Sequence, residues 1–279
     1  MFDLYPADIA KLSRSDLEQA AQGRTQTMYL GDGVVLARVL TRYKMLLHTT
    51  DRGFGNHVAM DGFWEIWITQ FFARTLKPGM CVVDVGANYG YYTMLFADCT
   101  TSTGQVLAVE PNPNAAGLLR QSIQLNGFGA HTRVVEAALG ATPNSSARLF
   151  VPNGEPKNAH ISEYTGSEGT AHTVALTTLD DLVVGLDRVD MVKIDAEGAE
   201  EAIVAGMAFT LSRHRPGVVL EFNTGRCADP AALLDRLLAV YGGVSVIDSR
   251  GMAVPVDREI VLTTRNSEDW MLYFAGRET

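Results

Sequence analysis

The chain has 279 residues, of which 47% are hydrophobic and 20% are charged, and its net charge is -9 at pH 7. This composition is that of a globular protein, and the length suits one large domain with an extension. Because an acidic chain without clustered Lys and Arg is a poor partner for a phosphate backbone, nucleic acid substrates are disfavoured.

The cysteines and the apolar segments bear on the location of the protein. Cys81, Cys99 and Cys227 are an odd number of cysteines without a CxxC pair, which indicates free thiols rather than a disulfide framework or a zinc site. The first residues lack a basic stretch followed by an apolar one, and no apolar run approaches the roughly 20 residues that span a bilayer. We therefore expect a cytoplasmic protein without a membrane span.

The N-terminal part is predicted to be an extension of the main domain. Residues 6–22 favour a short polar helix or a helical pair. Residues 27–50 alternate in hydrophobicity and contain the turn signal Gly31-Asp32-Gly33, so we expect a β-hairpin. The apolar, aromatic residues 61–76 predict one helix that ends near Lys77-Pro78-Gly79. We place a helix and hairpin cap at residues 1–60 and the main domain at residues 61–279.

Strands and helices alternate from residue 81 onward. Apolar runs predict strands at residues 81–86, 105–111, 133–139, 189–198, 216–223, 244–249 and 270–275. Residues 141–173 are mostly polar and predict surface strands and loops rather than a crossover helix. The pattern predicts an α/β fold with a doubly wound, mostly parallel, seven-stranded sheet. Ligands bind such sheets beyond the carboxyl ends of the strands.

Glycine and polar residues follow the first of these strands in the segment DVGANYG (84–90). Gly86 and Gly90 let a ligand approach the main chain, and the next helix presents unpaired N–H groups. The spacing differs from the Gly-x-Gly-x-x-Gly that binds a pyrophosphate, so it favours a ligand without one, such as S-adenosylmethionine. Asp84 lies inside an apolar strand, where it either ties the loop together or contacts a cationic ligand.

Glu110 ends the second strand. An acidic residue at this point of a βαβ unit can bind both ribose hydroxyls of a nucleotide, whereas the alternative is a solvated carboxylate. The glycine loop beside it favours the nucleoside interpretation. The residues alone therefore predict a nucleoside-binding α/β domain.

The motifs together resemble those of the FkbM-type methyltransferases. The resemblance rests on GFWE (62–65), DVGANYGYYT (84–93), EPNP (110–113), LNG (125–127) and VKIDAEGAE (192–200), and it covers roughly residues 45–225. It implies a Rossmann-like class I methyltransferase fold, S-adenosylmethionine as the cofactor, and O-methylation as the usual reaction.

The resemblance also implies roles for individual residues. The residues implied to surround the cofactor are Glu65, Asp84, Gly86, Ala87, Asn88, Gly90, Tyr91, Glu110, Asn112, Glu136, Ala137 and Asp195. Among them Glu110 would hold the ribose, Glu136 and Ala137 would lie near the adenine, and Asp195 would face the sulfonium. The resemblance implies that Asp195 and Glu197 face the sulfonium and the acceptor, and the candidate catalytic residues are Asp195, Glu197 and Glu221. A histidine that many relatives carry near Glu221 is replaced here by other residues, so the identity of the general base stays open.

Several carboxylates crowd at two adjacent strand ends. Asp195, Glu197 and Glu221 would raise one another's pKa values, which favours a base that works near neutrality. Histidines that are either bases or polar loop residues are His57, His160 and His172. Asp195, Glu221 and Asn223 could instead bind Mg²⁺, although we expect no metal site. Glu200 is expected to stabilise a helix N-terminus.

We predict O-methylation of a hydroxyl on a sugar, glycan or natural-product small molecule. The alternatives are a Mg²⁺-dependent O-methyltransferase of similar fold and a nicotinamide-dependent oxidoreductase. The aromatic residues of segment 61–76 are expected to pack in the core or to form a wall of the acceptor pocket.

Overall fold

A computed structural model of the chain describes residues 3–143, 145–162, 168–264 and 267–277. The helices are α1 (Pro6–Ile9), α2 (Arg14–Gln22), α3 (Phe54–Asp61), α4 (Ile66–Thr75), α5 (Tyr91–Thr100), α6 (Pro113–Leu125), α7 (Leu179–Val183), α8 (Glu200–Ala205), α9 (Ala208–Arg213), α10 (Pro230–Tyr241) and α11 (Arg258–Thr263). The strands are β1 (Thr27–Gly31), β2 (Val34–Val39), β3 (Tyr43–His48), β4 (Cys81–Val85), β5 (Gln105–Val109), β6 (Thr132–Val135), β7 (Ala138–Leu139), β8 (Ser145–Pro152), β9 (His160–Ile161), β10 (Gly169–Thr177), β11 (Met191–Ile194), β12 (Gly217–Phe222), β13 (Ser245–Ile247), β14 (Ala253–Pro255) and β15 (Trp270–Phe274).

The central sheet has the strand order β14-β13-β15-β12-β11-β4-β5-β6. The five strands from β12 to β6 are parallel, and β15, β13 and β14 join the sheet in antiparallel pairings. The predicted α/β fold with a doubly wound sheet is confirmed. The predicted number of seven strands is wrong, because β14 adds an eighth strand. All three of its residues are exposed, so it has none of the buried apolar side chains by which the other strands were predicted.

Both faces of the sheet are buried. Successive side chains of a strand point to opposite sides, so each strand contributes to the hydrophobic cluster on either face. Val82 belongs to the hydrophobic cluster on one face, and Val83 belongs to the cluster on the other. Helices α3 to α6 cover the first face, and helices α7 to α11 cover the second. Burying one such aliphatic side chain contributes about 1.5–3 kcal/mol, so the two clusters hold the strand ends in a rigid frame.

The N-terminal residues pack against the first face of the sheet. The predicted helical pair corresponds to α1 and α2, and the predicted hairpin is extended by β3 into a three-stranded antiparallel sheet. Ile9, Leu17 and Met45 lie in the same hydrophobic cluster as α4 and α5. The extension therefore shares a core with the rest of the chain, and a boundary near residue 60 stays a prediction.

The aromatic helix predicted at residues 61–76 is shorter than expected. Helix α3 ends at Asp61 and is capped by Gly62, whose φ is +75°, and α4 begins only at Ile66. Between them Glu65 has a φ of +35°, a left-handed backbone that an α-helix cannot contain. This break places Trp64 and Glu65 outside the regular helix, at the edge of the sheet where ligands bind.

The third predicted strand, at residues 133–139, is also interrupted. Its first part is β6 in the central sheet, and its second part is β7, which pairs with β10 in a separate sheet of order β7-β10-β8-β9. The strands and loops predicted for residues 141–173 are confirmed as this second sheet, except for residues 144 and 163–167, which lie outside the described residues. Across the described chain we find no helix with the length and apolar character needed to cross a membrane.

Candidate active site

A cavity of about 1080 Å³, including its open mouth, lies at the carboxyl ends of the central parallel strands. Residues that directly follow β4, β5 and β11 form its floor, as the topology of the sheet predicts. The predicted site residues that line the cavity are Glu65, Gly86, Ala87, Asn88, Tyr91, Glu110, Ala137, Asp195, Glu197 and Glu221. Ten residues that are distant in sequence are therefore brought to one place.

The glycine loop after β4 is fixed by the backbone of its neighbours. The N–H groups of Gly86 and Ala87 donate to the carbonyl of Val109 at 3.0 and 3.1 Å. Gly86 has a φ of +75°, and a Cβ on it would collide with the carbonyl oxygen of Asp195. Only glycine fits there, because the loop after β4 and the loop after β11 touch through their main chains. The loop is therefore preformed.

Glu110 is held in place by the loops on either side of it. Its carboxylate accepts the backbone N–H of Asn88 at 2.7 Å and that of Asn112 at 2.8 Å, one on each oxygen. Burial raises the pKa of Glu110 to about 7 in spite of these two donors. Each carboxylate oxygen can accept a second hydrogen bond, so Glu110 can still bind a pair of hydroxyl groups.

Asp195 binds a buried cation whose charge also acts on Asp84. The ammonium of Lys193 lies 3.0 Å from Oδ2 of Asp195, and Thr93 donates to Asp84 at 2.6 Å. Burial opposes the charge on Lys193, but the carboxylates of Asp195 and Asp84 outweigh it and raise the pKa of Lys193. Burial also raises the pKa of Asp84, which lies beneath the cavity rather than in its wall.

Glu65 reaches the cavity from the break before α4. The hydroxyl of Tyr92 donates to its carboxylate at 2.8 Å, which fixes the side chain against α5. Burial raises the pKa of Glu65, and the nearby charge of Asp195 adds to this rise. The strained backbone of Glu65 is thus combined with a buried carboxylate at the cavity wall, which is typical of a functional position.

Arg226 joins the two remaining carboxylates of the site. Its guanidinium contacts Glu197, whose φ is +50°, and also donates to Glu221 and Asp269 at 2.6 Å. Burial raises the pKa of both glutamates, and the guanidinium opposes this rise. Glu197 and Glu221 are therefore held as ion pairs at one end of the cavity.

Four predicted cofactor residues lie outside the cavity wall: Asp84, Gly90, Asn112 and Glu136. Gly90 precedes the first residue of α5, and Asn112 caps α6 through its side chain. Glu136 is exposed and forms an ion pair with Arg120 of α6 at 2.8 Å, so Ala137 lines the cavity at this point and Glu136 does not.

The residues proposed as Mg²⁺ ligands are already engaged with other protein groups. The side chain of Asn223 donates to Asp269 and accepts from the N–H of Gly225, and Glu221 is bound to Arg226. Within the described ranges no group of three or more His, Cys, Asp and Glu side chains is arranged to hold a metal ion. Glu200, the first residue of α8, accepts the N–H groups of Ala196 and Gly198 and so holds the loop that precedes the helix.

The sequence model of the methyltransferase FkbM domain matches residues 84–241, which is more than half of the chain. The chain belongs to this family. The predicted resemblance is thereby confirmed, and methyl transfer from S-adenosylmethionine is the chemistry of such a domain.

Two relatives with established names are similar over part of the chain. The 2-O-methyltransferase NoeI of Sinorhizobium fredii is 29% identical over 164 residues, covering 52% of this chain and 65% of that protein. Methyltransferase sdnD of Sordaria araneosa is 26% identical over 155 residues, covering 45% of this chain and 60% of that protein. The chain thus spans less than two thirds of the length of either relative.

Solved structures of related folds are also similar to the chain. The FkbM methyltransferase of Methylobacillus flagellatus superimposes with a TM-score of 0.45 at 14% identity, covering 81% of this chain and 56% of that one.

Sequence reasoning missed Lys193, Tyr92 and Arg226. A lysine within the apolar run of β11 was a visible signal, because an unpaired ammonium is rarely buried. Tyr92 and Arg226 gave no such signal, since their partners Glu65, Glu197 and Glu221 come from distant segments.

Proposed function

We propose that the chain is an S-adenosylmethionine-dependent methyltransferase that methylates a hydroxyl group of a small molecule or glycan. The observation that carries the proposal is the cavity in which Glu110, the glycine loop and Asp195 meet at the carboxyl ends of β5, β4 and β11. A nucleoside with a cationic sulfur fits this set of groups, because carboxylates bind both hydroxyls and cations.

The residues of the cavity fit the cofactor in three parts. Glu110 would accept the ribose hydroxyls, and the apolar residues Ala137 and Leu139 would lie against the adenine. The backbone of the glycine loop would hold the methionine part, with Asp84 beneath it. Asp195 and Glu65 would face the sulfonium. When bound, the cofactor supplies a methyl group that is already activated for displacement, so the protein has mainly to align the acceptor with it.

A hydroxyl acceptor must also lose a proton during the transfer. We assign this role to Asp195, whose Oδ2 is bound to Lys193 at 3.0 Å while Oδ1 remains a second acceptor site on the same carboxylate. Glu197 and Glu221 are the alternative bases. Both are bound to the guanidinium of Arg226 at one end of the cavity, whereas Asp195 directly follows β11 and lies beside the glycine loop.

The acceptor would meet both aromatic and polar groups in the cavity. Phe54 and Trp64, whose rings lie 5.1 Å apart, form an aromatic part of its wall. Lys157, from a short 3-10 helix (Pro156–Asn158), and His160 of β9 also line the cavity. Aromatic rings pack on the apolar faces of sugar rings and of natural products, while the polar groups can bind hydroxyls.

We further propose that the acceptor is not a nucleic acid and that the protein works in the cytoplasm. The net charge of -9 supports the first statement. The second is supported by the free thiols of Cys81, Cys99 and Cys227, since a reducing compartment keeps thiols reduced.

The experiment is transfer of a labelled methyl group from S-adenosylmethionine to a panel of sugars, glycans and hydroxylated natural products. We expect label in at least one acceptor, and about a 100-fold or larger loss of turnover in Asp195→Asn, the usual effect of removing a general base. Glu136→Gln is the matched control, because Glu136 is exposed outside the cavity and should leave turnover unchanged. Turnover that survives in Asp195→Asn would place the base elsewhere.

A further inference from the structure

Lys193 is a buried cation in the middle of the central sheet. The residue is 1% exposed, and in the β11–β4 pairing it lies in register with Asp84. Its neighbours along β11, Val192 and Ile194, are fully buried apolar residues. An ammonium in such a place is costly unless it is paired, so its partners show what it does there.

The hydrogen bond of Lys193 points toward the cavity. Its Nζ donates to Oδ2 of Asp195 at 3.0 Å, and the ring of Tyr92 lies 5.0 Å from the ammonium on another side. Oδ1 of Asp84, the in-register neighbour, is buried and has no hydrogen-bond partner in the part of the chain that the structure describes. Of two adjacent carboxylates, the ammonium therefore binds the one that lines the cavity.

The main chain of Asp195 is fixed independently of its side chain. Its N–H donates to the carbonyl of Val85 at 3.2 Å, and its carbonyl packs against Gly86. The backbone contacts leave the side-chain torsions undetermined, so the carboxylate needs its own anchor. Lys193 is the anchor at Oδ2.

We propose that Lys193 is a positioning residue that holds the Asp195 carboxylate against the place of the cofactor's sulfonium. The inference rests on the proposed function. It differs from a role in charge balance alone, in which any arrangement with the same net charge would serve. The two roles predict different results in a variant that removes the ammonium and one neighbouring carboxylate together. A positioning role predicts weaker recognition of the charge at the sulfonium position, whereas a role in charge balance alone predicts no change.

The test compares the binding of two unreactive ligands by calorimetry at a single pH. S-adenosylhomocysteine has an uncharged sulfur, and sinefungin has a protonated amine close to the position of the sulfonium. Both contain the same adenosine part and end in the same α-amino acid group, so general damage to the site cancels in the ratio of their Kd values. The ratio therefore reports how well the protein recognises the charge at that position.

The main variant is D84N/K193Q, which keeps the net charge of the cluster, and D84N alone is its matched control. Relative to the unaltered protein, we expect D84N/K193Q to reduce the preference for sinefungin about tenfold, as expected for one lost charge contact near a protein surface. D84N alone should cause a smaller loss, because Lys193 still holds Asp195. D195N should cause the same loss as D84N/K193Q. Adding K193Q and D84N to D195N should cause no further loss, because Lys193 acts through Asp195.

A double variant that does not fold is replaced by K193R. This change keeps the charge but moves the donors, so the preference should again fall, since arginine and lysine present their N–H groups differently. An unchanged preference in the variant that folds would overturn the positioning role. If the unaltered protein binds neither ligand, the proposed function itself fails and the inference fails with it.

Discussion

Glu110→Gln tests how the site recognises the nucleoside part of the cofactor. Glutamine has nearly the same shape as glutamate, but it lacks the charge and offers one acceptor oxygen instead of two. The carboxylate of Glu110 accepts N–H groups on both oxygens and, in the proposed complex, two ribose hydroxyls as well. Losing these charge-assisted contacts should cost about 3 kcal/mol, or about 100-fold in the Kd of S-adenosylhomocysteine.

The same residue gives ligand binding a pH dependence. The pKa of Glu110 is raised by burial from 4.5 to about 7, and ribose hydroxyls that donate to the carboxylate favour its ionised form. One proton must therefore leave Glu110 on binding below neutrality, so affinity should rise about tenfold per pH unit as pH approaches 7 from below. Glu110→Gln should remove this slope.

The raised pKa of Glu110 also makes the stability of the ligand-free protein depend on pH. A carboxyl group with a raised pKa in the folded state contributes stability that is fully present below pH 4.5 and is lost as pH rises through about 7.

Titration calorimetry between about pH 6 and pH 8, with Glu136→Gln as control, measures how the affinity for S-adenosylhomocysteine depends on pH. Equal affinity and an equal pH slope in Glu110→Gln and the unaltered protein would refute the assignment of Glu110.

Further substitutions test the framework around the cavity. Gly86→Ala should lower the free energy of unfolding by more than about 2 kcal/mol, because the added Cβ would collide with a backbone carbonyl. The control Gly117→Ala in α6 places its Cβ in open space and should raise the free energy of unfolding by about 0.5–1 kcal/mol. Thr93→Val should cost about 1–3 kcal/mol, since buried Asp84 loses its hydroxyl donor; an unchanged urea midpoint would argue against that contact. Arg226→Met leaves three carboxylates without their cation, so its loss of thermal stability should be larger at high pH than at low pH, and a pH-independent loss would contradict the ion-pair description.

The fold was predictable where strands have buried faces. The runs containing Val83, Leu107 and Val192 are buried on both sides, and their alternation with helices determines the parallel order. Strand β14 escaped prediction because its residues are exposed and it lies at the edge of the sheet, paired with β13. The break at Glu65 escaped prediction because the surrounding apolar residues continue a helical spacing, whereas tertiary packing imposes the left-handed backbone.

The site was predictable to the extent that it follows from strand ends. Gly86, Glu110 and Asp195 each come directly after a parallel strand, so the topology alone brings them together. The resemblance places Glu136 and Ala137, at the end of the predicted third strand, near the adenine. The chain instead leaves the sheet after Val135, and Glu136 pairs with a helix on the surface. Side-chain partners such as Arg226 depend on contacts between loops, which the sequence pattern does not encode.

The most direct test of the central claim is calorimetric titration of the unaltered protein with S-adenosylhomocysteine, with NADH as the control ligand. We predict binding of S-adenosylhomocysteine at micromolar concentration and no heat of binding from NADH, because the glycine loop lacks the spacing for a pyrophosphate. Binding of NADH together with silence from S-adenosylhomocysteine would contradict the account and favour a nicotinamide-dependent oxidoreductase.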